Sequence, residues 1–215
     1  MKRVLLLCLS FLLGVAACFA QQDAKAVDIL NKASAAYVKA GGVKAAFSLQ
    51  MMHPKGVKGE SLKGSIRLKG QKFKLDVEDM TTWFDGSNQW VYLKSNQEVN
   101  VSNPTEEELL TINPINVFQL YKHGYNCSYK GSGTSSGLAV NTILLTPKNK
   151  YSQVSGILVS FEKNSLRPVT IAITNKDKSG TTVNITSYQG GNAFADNLFV
   201  FPAKEYPSTQ VIDLR

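Results

Sequence analysis

From Asp23 to Ala40 apolar residues return at every third or fourth position. Ala26, Leu30, Ala33 and Tyr37 share one helical face, with Val27 and Val38 beside it, so this segment is predicted to be an amphipathic helix. Asp23 can cap its start, and Gly41-Gly42 ends it. The period then falls from 3.6 to 2. Phe47, Leu49 and Met51 alternate with Ser48 and Gln50. Leu62, Gly64, Ile66 and Leu68 alternate with Lys63, Ser65, Arg67 and Lys69; Phe73, Leu75 and Val77 alternate with Lys72, Lys74, Asp76 and Glu78. One apolar and one charged face is the mark of a half-buried antiparallel sheet.

Asp85-Gly86 predicts a turn between Thr81–Phe84 and Gln89–Lys94, and Ser95-Asn96-Gln97 a turn before Glu98–Val101. The alternation then stops. Asn103-Pro104-Thr105-Glu106 reads as a helix start, followed by Leu109, Leu110 and Ile112. Asn113-Pro114 repeats that logic ahead of Ile115, Val117, Phe118 and Leu120. Two short apolar helices are thus expected inside a strand-rich chain, ending near Gly124. Strands are expected again at Tyr125–Lys130, Leu138–Thr146, Ser152–Glu162, Val169–Asn175, Thr181–Gln189 and Leu198–Phe201, with Gly131 to Gly137 as a hairpin loop. Many strands with short connections predict one curved antiparallel sheet or an open barrel.

The start of the chain has another pattern. Lys2 and Arg3 precede an apolar run from Val4 to Leu13, then Gly14, small residues and Cys18-Phe19-Ala20 before Gln21. This is the layout of an export leader cut after Ala20, and the run is too short to span a bilayer. The expected organisation is a leader at 1–20 and a single domain at 21–215. Val15-Ala16-Ala17-Cys18 also fits the shorter signature of cleavage before a cysteine that then carries lipid, which would tether the protein at Cys18. Cys8 lies within the leader, so cleavage after Ala20 leaves Cys127 alone, with no internal disulfide. The fold must then hold by its core, with Cys127 as a small apolar residue in a strand.

The full chain of 215 residues is 43% hydrophobic and 19% charged, with 24 Lys+Arg against 16 Asp+Glu, a net charge of +8. Loss of Lys2 and Arg3 leaves 22 cations against 16 acids, or +6. Such a balance can indicate nucleic acid, but an exported chain does not meet it. Seven cations between Lys55 and Lys74 fit an outer sheet face that resists edge aggregation, or a contact for an anionic membrane surface or acidic partner.

Candidate catalytic chemistry is sparse. Gly133-Thr134-Ser135-Ser136-Gly137 matches G-x-S-x-G, yet the nucleophile elbow requires a helix after the serine, and a strand is expected here. His53 and His123 have no sequence-local partner. Zinc, calcium and phosphate-loop signatures are absent from the sequence, so no catalytic residue, metal site or cofactor is assigned. An exported hydrolase using scattered residues stays open as an alternative. The excess is apolar and aromatic: Trp83, Phe84, Trp90 and Tyr92 are expected beside the inserted helices, either as an ordinary core or around a cavity able to take a lipid.

The ordered landmarks resemble the periplasmic outer-membrane lipoprotein carrier family, LolA. They are the helix and aromatic strand from Tyr37 through Phe47, Gly64-Ser65-Ile66-Arg67-Leu68, and Phe73-Lys74-Leu75. To these add the hairpin Asp85-Gly86-Ser87-Asn88-Gln89-Trp90-Val91-Tyr92, the strand Glu98-Val99, Phe199-Val200-Phe201-Pro202, and Val211-Ile212-Asp213-Leu214. The resemblance implies an α+β, mainly antiparallel β fold: an open, incomplete barrel with an N-terminal helix and short lid helices over a hydrophobic cavity. Wall candidates are Phe47, Leu49, Ile66, Leu68, Phe73, Leu75, Trp90 and Tyr92; lid candidates are Leu109, Leu110, Phe118 and Leu120. It implies a monomeric periplasmic carrier, not an enzyme, that takes lipoprotein acyl chains from an inner-membrane lipoprotein-releasing transporter to an outer-membrane receptor. A lipid-anchored receptor or envelope-stress sensor of the same fold is the alternative. The family often has a lid-latching arginine before a proline and the aromatic strand; Gly70 and Gln71 stand near that place here, with Arg67 close by.

Overall fold

The computed structural model describes residues 23–105, 108–109 and 116–215. The leader and Leu110, with most of the first inserted helix, lie outside the described residues.

Helix α1 is Ala24–Ala40. Asp23 caps it, its carboxylate accepting the N–H groups of Lys25 (2.9 Å) and Ala26 (3.2 Å). The other carboxylate oxygen accepts the Tyr129 N–H at 2.9 Å, and the Asp23 N–H donates to the Cys127 carbonyl at 3.3 Å. The Tyr129 bond is the main reason the Asp23 carboxyl is held below its usual range. Gly41 ends the helix at φ 70°, where a side chain would be strained. Ala26, Ile29, Leu30, Ala33 and Tyr37 form the buried face, as the periodicity predicts, whereas Val38 is 72% exposed.

Twelve strands follow among the described residues: β1 Val43–His53, β2 Val57–Lys69, β3 Lys72–Val77, β4 Met80–Phe84, β5 Gln89–Leu93, β6 Glu98–Ser102, β7 Tyr125–Ser135, β8 Leu138–Pro147, β9 Val154–Glu162, β10 Pro168–Asn175, β11 Gly180–Gln189 and β12 Gln210–Asp213. They form one sheet in the order β12-β6-β5-β4-β3-β2-β1-β11-β10-β9-β8-β7. Neighbours are antiparallel except β12, which runs parallel to β6. The sheet is curved and does not close into a barrel. Its registers slip at Ala46/Phe47, Gln50/Met52 and Tyr129/Gly131, and such bulges bend strands. At Gly64 a Cβ would lie 2.5 Å from the Phe47 ring, so the absent side chain lets that ring lie across β2.

Four expectations need correction. β7 and β8 continue to Ser135 and from Leu138, leaving a two-residue turn where a loop over Gly131–Gly137 is predicted. Small polar residues raise local flexibility in sequence, but the β8 partners hold them in register. Leu198–Phe201 is not a strand: Asp196–Phe199 is a 3₁₀ turn, anchored by the buried Phe199. The cap of the inserted segment is Thr105, two residues beyond the expected Asn103. Thr105 and Glu108 form a reciprocal cap: the carboxylate accepts the Thr105 N–H at 2.8 Å, and the Thr105 hydroxyl accepts the Glu108 N–H at 3.3 Å. The second predicted helix is two 3₁₀ turns, Asn116–Phe118 and Leu120–Lys122.

Candidate functional site: an apolar cavity inside the curved sheet

The inner face of the sheet carries the main hydrophobic cluster. α1 and the 3₁₀ turns pack on part of it through Leu30, Ala33, Tyr37, Val117, Phe118 and Leu120. The helix is fastened at two points. The Tyr37 hydroxyl donates to the Gly70 carbonyl at 2.8 Å, and burial pushes its pKa well up. The Tyr121 hydroxyl donates to Asn31 Oδ1 at 2.5 Å, fastening the 3₁₀ segment to α1. Phe118 meets Phe161 with ring centroids 5.4 Å apart.

The cover does not fill the sheet. A cavity of about 580 Å³ remains, walled by Ala45, Phe47, Leu49 and Met51 of β1 and by Leu62, Ile66 and Leu68 of β2. Leu75 and Val77 of β3, Met80 and Thr82 of β4, and Gln89 and Val91 of β5 continue the wall. Ile171 and Ile173 of β10 and Val183, Ile185 and Tyr188 of β11 close the far side, and Val117 reaches in from the 3₁₀ turns. The volume falls in the range of roughly 300–1,000 Å³ found for small-molecule sites. Its walls are aliphatic over most of their extent, with no ionisable side chain among the described residues apart from Tyr188, whose hydroxyl burial makes harder to ionise. Such a surface attracts hydrocarbon through the hydrophobic effect and offers few directional contacts.

Five wall candidates, Phe47, Leu49, Ile66, Leu68 and Leu75, lie on this cavity. Phe73 is on the same face but deeper, fully buried against Phe84 at 5.4 Å. Trp90 and Tyr92 are placed elsewhere. They point to the outer face, where Trp83, Tyr92, Val99 and Phe201 form a second cluster with Trp90 and Tyr206 packed on it. The reason is the period of 2: Trp90 lies opposite Trp83 and Val101, so Gln89 and Val91 take the inward positions. Trp83, Trp90 and Tyr92 therefore face away from the cavity, and Phe84 alone of the four aromatic residues faces inward.

Of the lid candidates, Phe118 and Leu120 are buried in the inner cluster, and Leu109 packs partly against it. Leu109 and Leu120 also border a second, more polar cavity of about 610 Å³ with Gln71, Asn116, Gln119 and His123. The β10 and β11 walls were missed as site residues, although Val169–Asn175 and Thr181–Gln189 show the same alternation in sequence.

Arg67 makes its ion pair away from the cavity. It lies on the outer face, where its guanidinium meets Asp76 at 3.0 Å. Lys69 and Lys72 each meet Asp196 at 2.8 Å, and those lysines hold its carboxyl down to about 2. Ser135 ends β7 and exchanges a hydrogen bond of 3.0 Å with the Thr170 hydroxyl, with no helix after it. Cys127 is buried, and burial first, then Asp23, raises its pKa. Among the described residues no three His, Cys, Asp or Glu side chains are grouped to hold a metal. No helix among them is long and apolar enough to cross a membrane.

A curved sheet left open, with a helix and short turns over part of its apolar inner face, defines the class of open-barrel folds. The model of the outer membrane lipoprotein carrier protein LolA family matches residues 16–177, and the chain belongs to that family. Its fold is similar to that of an uncharacterized conserved protein from Thermus thermophilus, at 9% identity and a TM-score of 0.60, over 88% of this chain and 99% of that one. It is also similar to a DUF1329 family protein from Desulfovibrio piger, at 12% identity and a TM-score of 0.51, over 83% of this chain and 97% of that one. A LolA superfamily protein from Nitrosomonas europaea aligns at 10% identity and a TM-score of 0.46, over 82% and 97% of the two chains. No curated protein matches this sequence.

Proposed function

We propose that the protein is a periplasmic carrier that shelters lipoprotein acyl chains in the sheet cavity and moves lipoproteins from the inner to the outer membrane. The observation that carries this reading is the cavity of about 580 Å³ with aliphatic walls, left open under α1 and the 3₁₀ turns. Membership of the lipoprotein carrier family supports it. Export by the leader, with cleavage after Ala20, brings the domain to the compartment where such cargo crosses. An inner-membrane releasing transporter and an outer-membrane receptor are the partners at the two ends.

The energetics suit carriage. Each sheltered methylene contributes about 0.8 kcal/mol, so ten contribute about 8 kcal/mol, a dissociation constant near 1 μM. Complete burial of several chains would bind too tightly for unaided release. A cavity of this size takes one chain, or parts of more than one, and leaves the rest for direct hand-over. No bond is broken in this scheme, so a carrier needs no nucleophile or metal.

Purification from the periplasm with mass spectrometry of bound material tests the reading. Lipoproteins should co-purify, and depletion of the protein should leave outer-membrane lipoproteins stranded. A cavity that stays empty while lipoproteins are overproduced, together with normal sorting after depletion, overturns it. Intact mass separates a free Gln21 from a diacylated Cys18, the mark of the lipid-anchored receptor.

A further inference from the structure

Three connections meet at one end of the sheet: the β1–β2 turn, the β10–β11 turn and the β8–β9 loop. They are stitched together. The Lys55 N–H donates to the Asp177 carbonyl at 2.8 Å, and the Lys176 N–H to the Gln153 carbonyl at 2.9 Å. The Lys176 ammonium reaches the Lys150 carbonyl at 2.5 Å. Lys55, Lys58, Lys148, Lys150, Lys176 and Lys178 stand exposed on this rim. Asp177 is the acid among the three connections, and its carboxylate is already engaged by the N–H and hydroxyl of Ser179 at 2.9 and 2.6 Å.

Large apolar side chains stand between these cations. Tyr151 is 89% exposed, Val57 58% and Met51 38%. Met51 also belongs to the cavity wall, as do Val154, Asn175 and Gly180 from the same rim, so the cavity reaches the surface here. Isolated exposed apolar residues are ordinary, but three of them set among lysines along one rim that includes a cavity mouth are a specific arrangement. An acidic protein would need the lysines alone. Exposed valine and tyrosine gain only where there is hydrocarbon or a headgroup boundary to enter.

We infer that this rim docks on the surface of an anionic phospholipid bilayer. Val57 and Tyr151 enter the headgroup layer, the lysines face lipid phosphates, and the cavity mouth at Met51 is set against the membrane. The docking surface stands whatever fills the cavity.

Co-sedimentation of the purified protein with vesicles of phosphatidylethanolamine and phosphatidylglycerol tests it, with phosphatidylcholine vesicles as the neutral control. Binding to the anionic vesicles alone, falling as salt rises, is the expected result. The pair Val57→Asp and Tyr151→Asp should weaken it by about tenfold or more. Lys58→Gln, Lys150→Gln and Lys176→Gln should each weaken it by about fivefold. Melting curves and fluorescent fatty-acid binding confirm that each variant is folded; if the aspartates prevent folding, Val57→Ser and Tyr151→Ser replace them. No binding to anionic vesicles at low salt, equal binding to neutral ones, or variants that bind as the parent does would each overturn the inference. Vesicle binding without fatty-acid binding breaks the carrier reading and leaves this one standing; the reverse breaks this one alone.

Discussion

The two hydrophobic clusters of this protein are built from different side chains and come to different ends. The outer cluster joins Trp83, Tyr92, Phe201 and Tyr206, with ring centroids between 4.7 and 6.3 Å apart, and Trp90 packs against it. The C-terminal segment supplies Phe201 and Tyr206, then adds β12 to the sheet edge, so the rings fill their own space. The inner cluster has rings in its covered part, where Phe73 meets Phe84 and Phe118 meets Phe161, and mostly aliphatic chains along the concave strands that its cover leaves open. Aromatic rings bridge a gap between a sheet and a passing chain. Valine, leucine and isoleucine reach less far, and on a concave face they leave room. The outer cluster serves stability, and the inner face divides its area between core and cavity.

That contrast can be broken in a stated order. The largest effect should come from Trp83→Ala, which empties a fully buried site and should cost about 3–5 kcal/mol in denaturant unfolding. Fatty-acid affinity of the folded variant should stay within twofold of the parent; a loss matching the stability change would show that the two clusters are one unit. Next, Leu75→Trp or Ile173→Trp places a ring inside the cavity. Probe affinity should fall more than tenfold, about 1.4 kcal/mol, with a smaller change in melting temperature. The native tryptophans, Trp83 and Trp90, lie outside the cavity, so their emission should stay constant during a fatty-acid titration of the parent.

Smaller effects sharpen the picture. Tyr121→Phe removes the hydroxyl bond to Asn31 and should cost about 1 kcal/mol. Stopped-flow measurement should show faster probe release, since that bond fastens the 3₁₀ segment to α1. The smallest change belongs to Asp196, exposed and held by Lys69 and Lys72. Its carboxyl falls from an ordinary 3.8 to about 2 on folding, so its contribution is present above 3.8 and is lost as pH falls through about 2. Asp196→Asn should flatten the acid limb of a melting-temperature profile in that window and leave neutral pH nearly unchanged. High salt should mimic the substitution, because the pair is screened.

The helix and its cap, the strands of the first half and the turn at Asp85-Gly86 were all legible from local pattern. So were Phe47, Leu49, Ile66, Leu68 and Leu75 as inward residues, because each has a polar or charged neighbour one step away. The alternation at Thr81–Phe84 and Gln89–Leu93 was not readable in the same way. Both faces there are apolar, since the C-terminal segment covers the outer one, so the pattern carried no sign. The 3₁₀ turns at Asn116–Lys122 share the apolar spacing of an α-helix, and only packing against α1 and Phe161 selects the tighter form.

By itself, the sequence determined the N-terminal helix, most of the strands and the charged side of most of them, since period and capping act within a few residues. It also carried the family, whose model matches residues 16–177. Only the tertiary structure decided which aromatic residues face inward, that β10 and β11 complete the wall, and that Lys55, Lys150 and Lys176 share one rim with Val57 and Tyr151. Those facts depend on which strand lies beside which and on what crosses the sheet, and both are set by contacts between positions far apart in the chain.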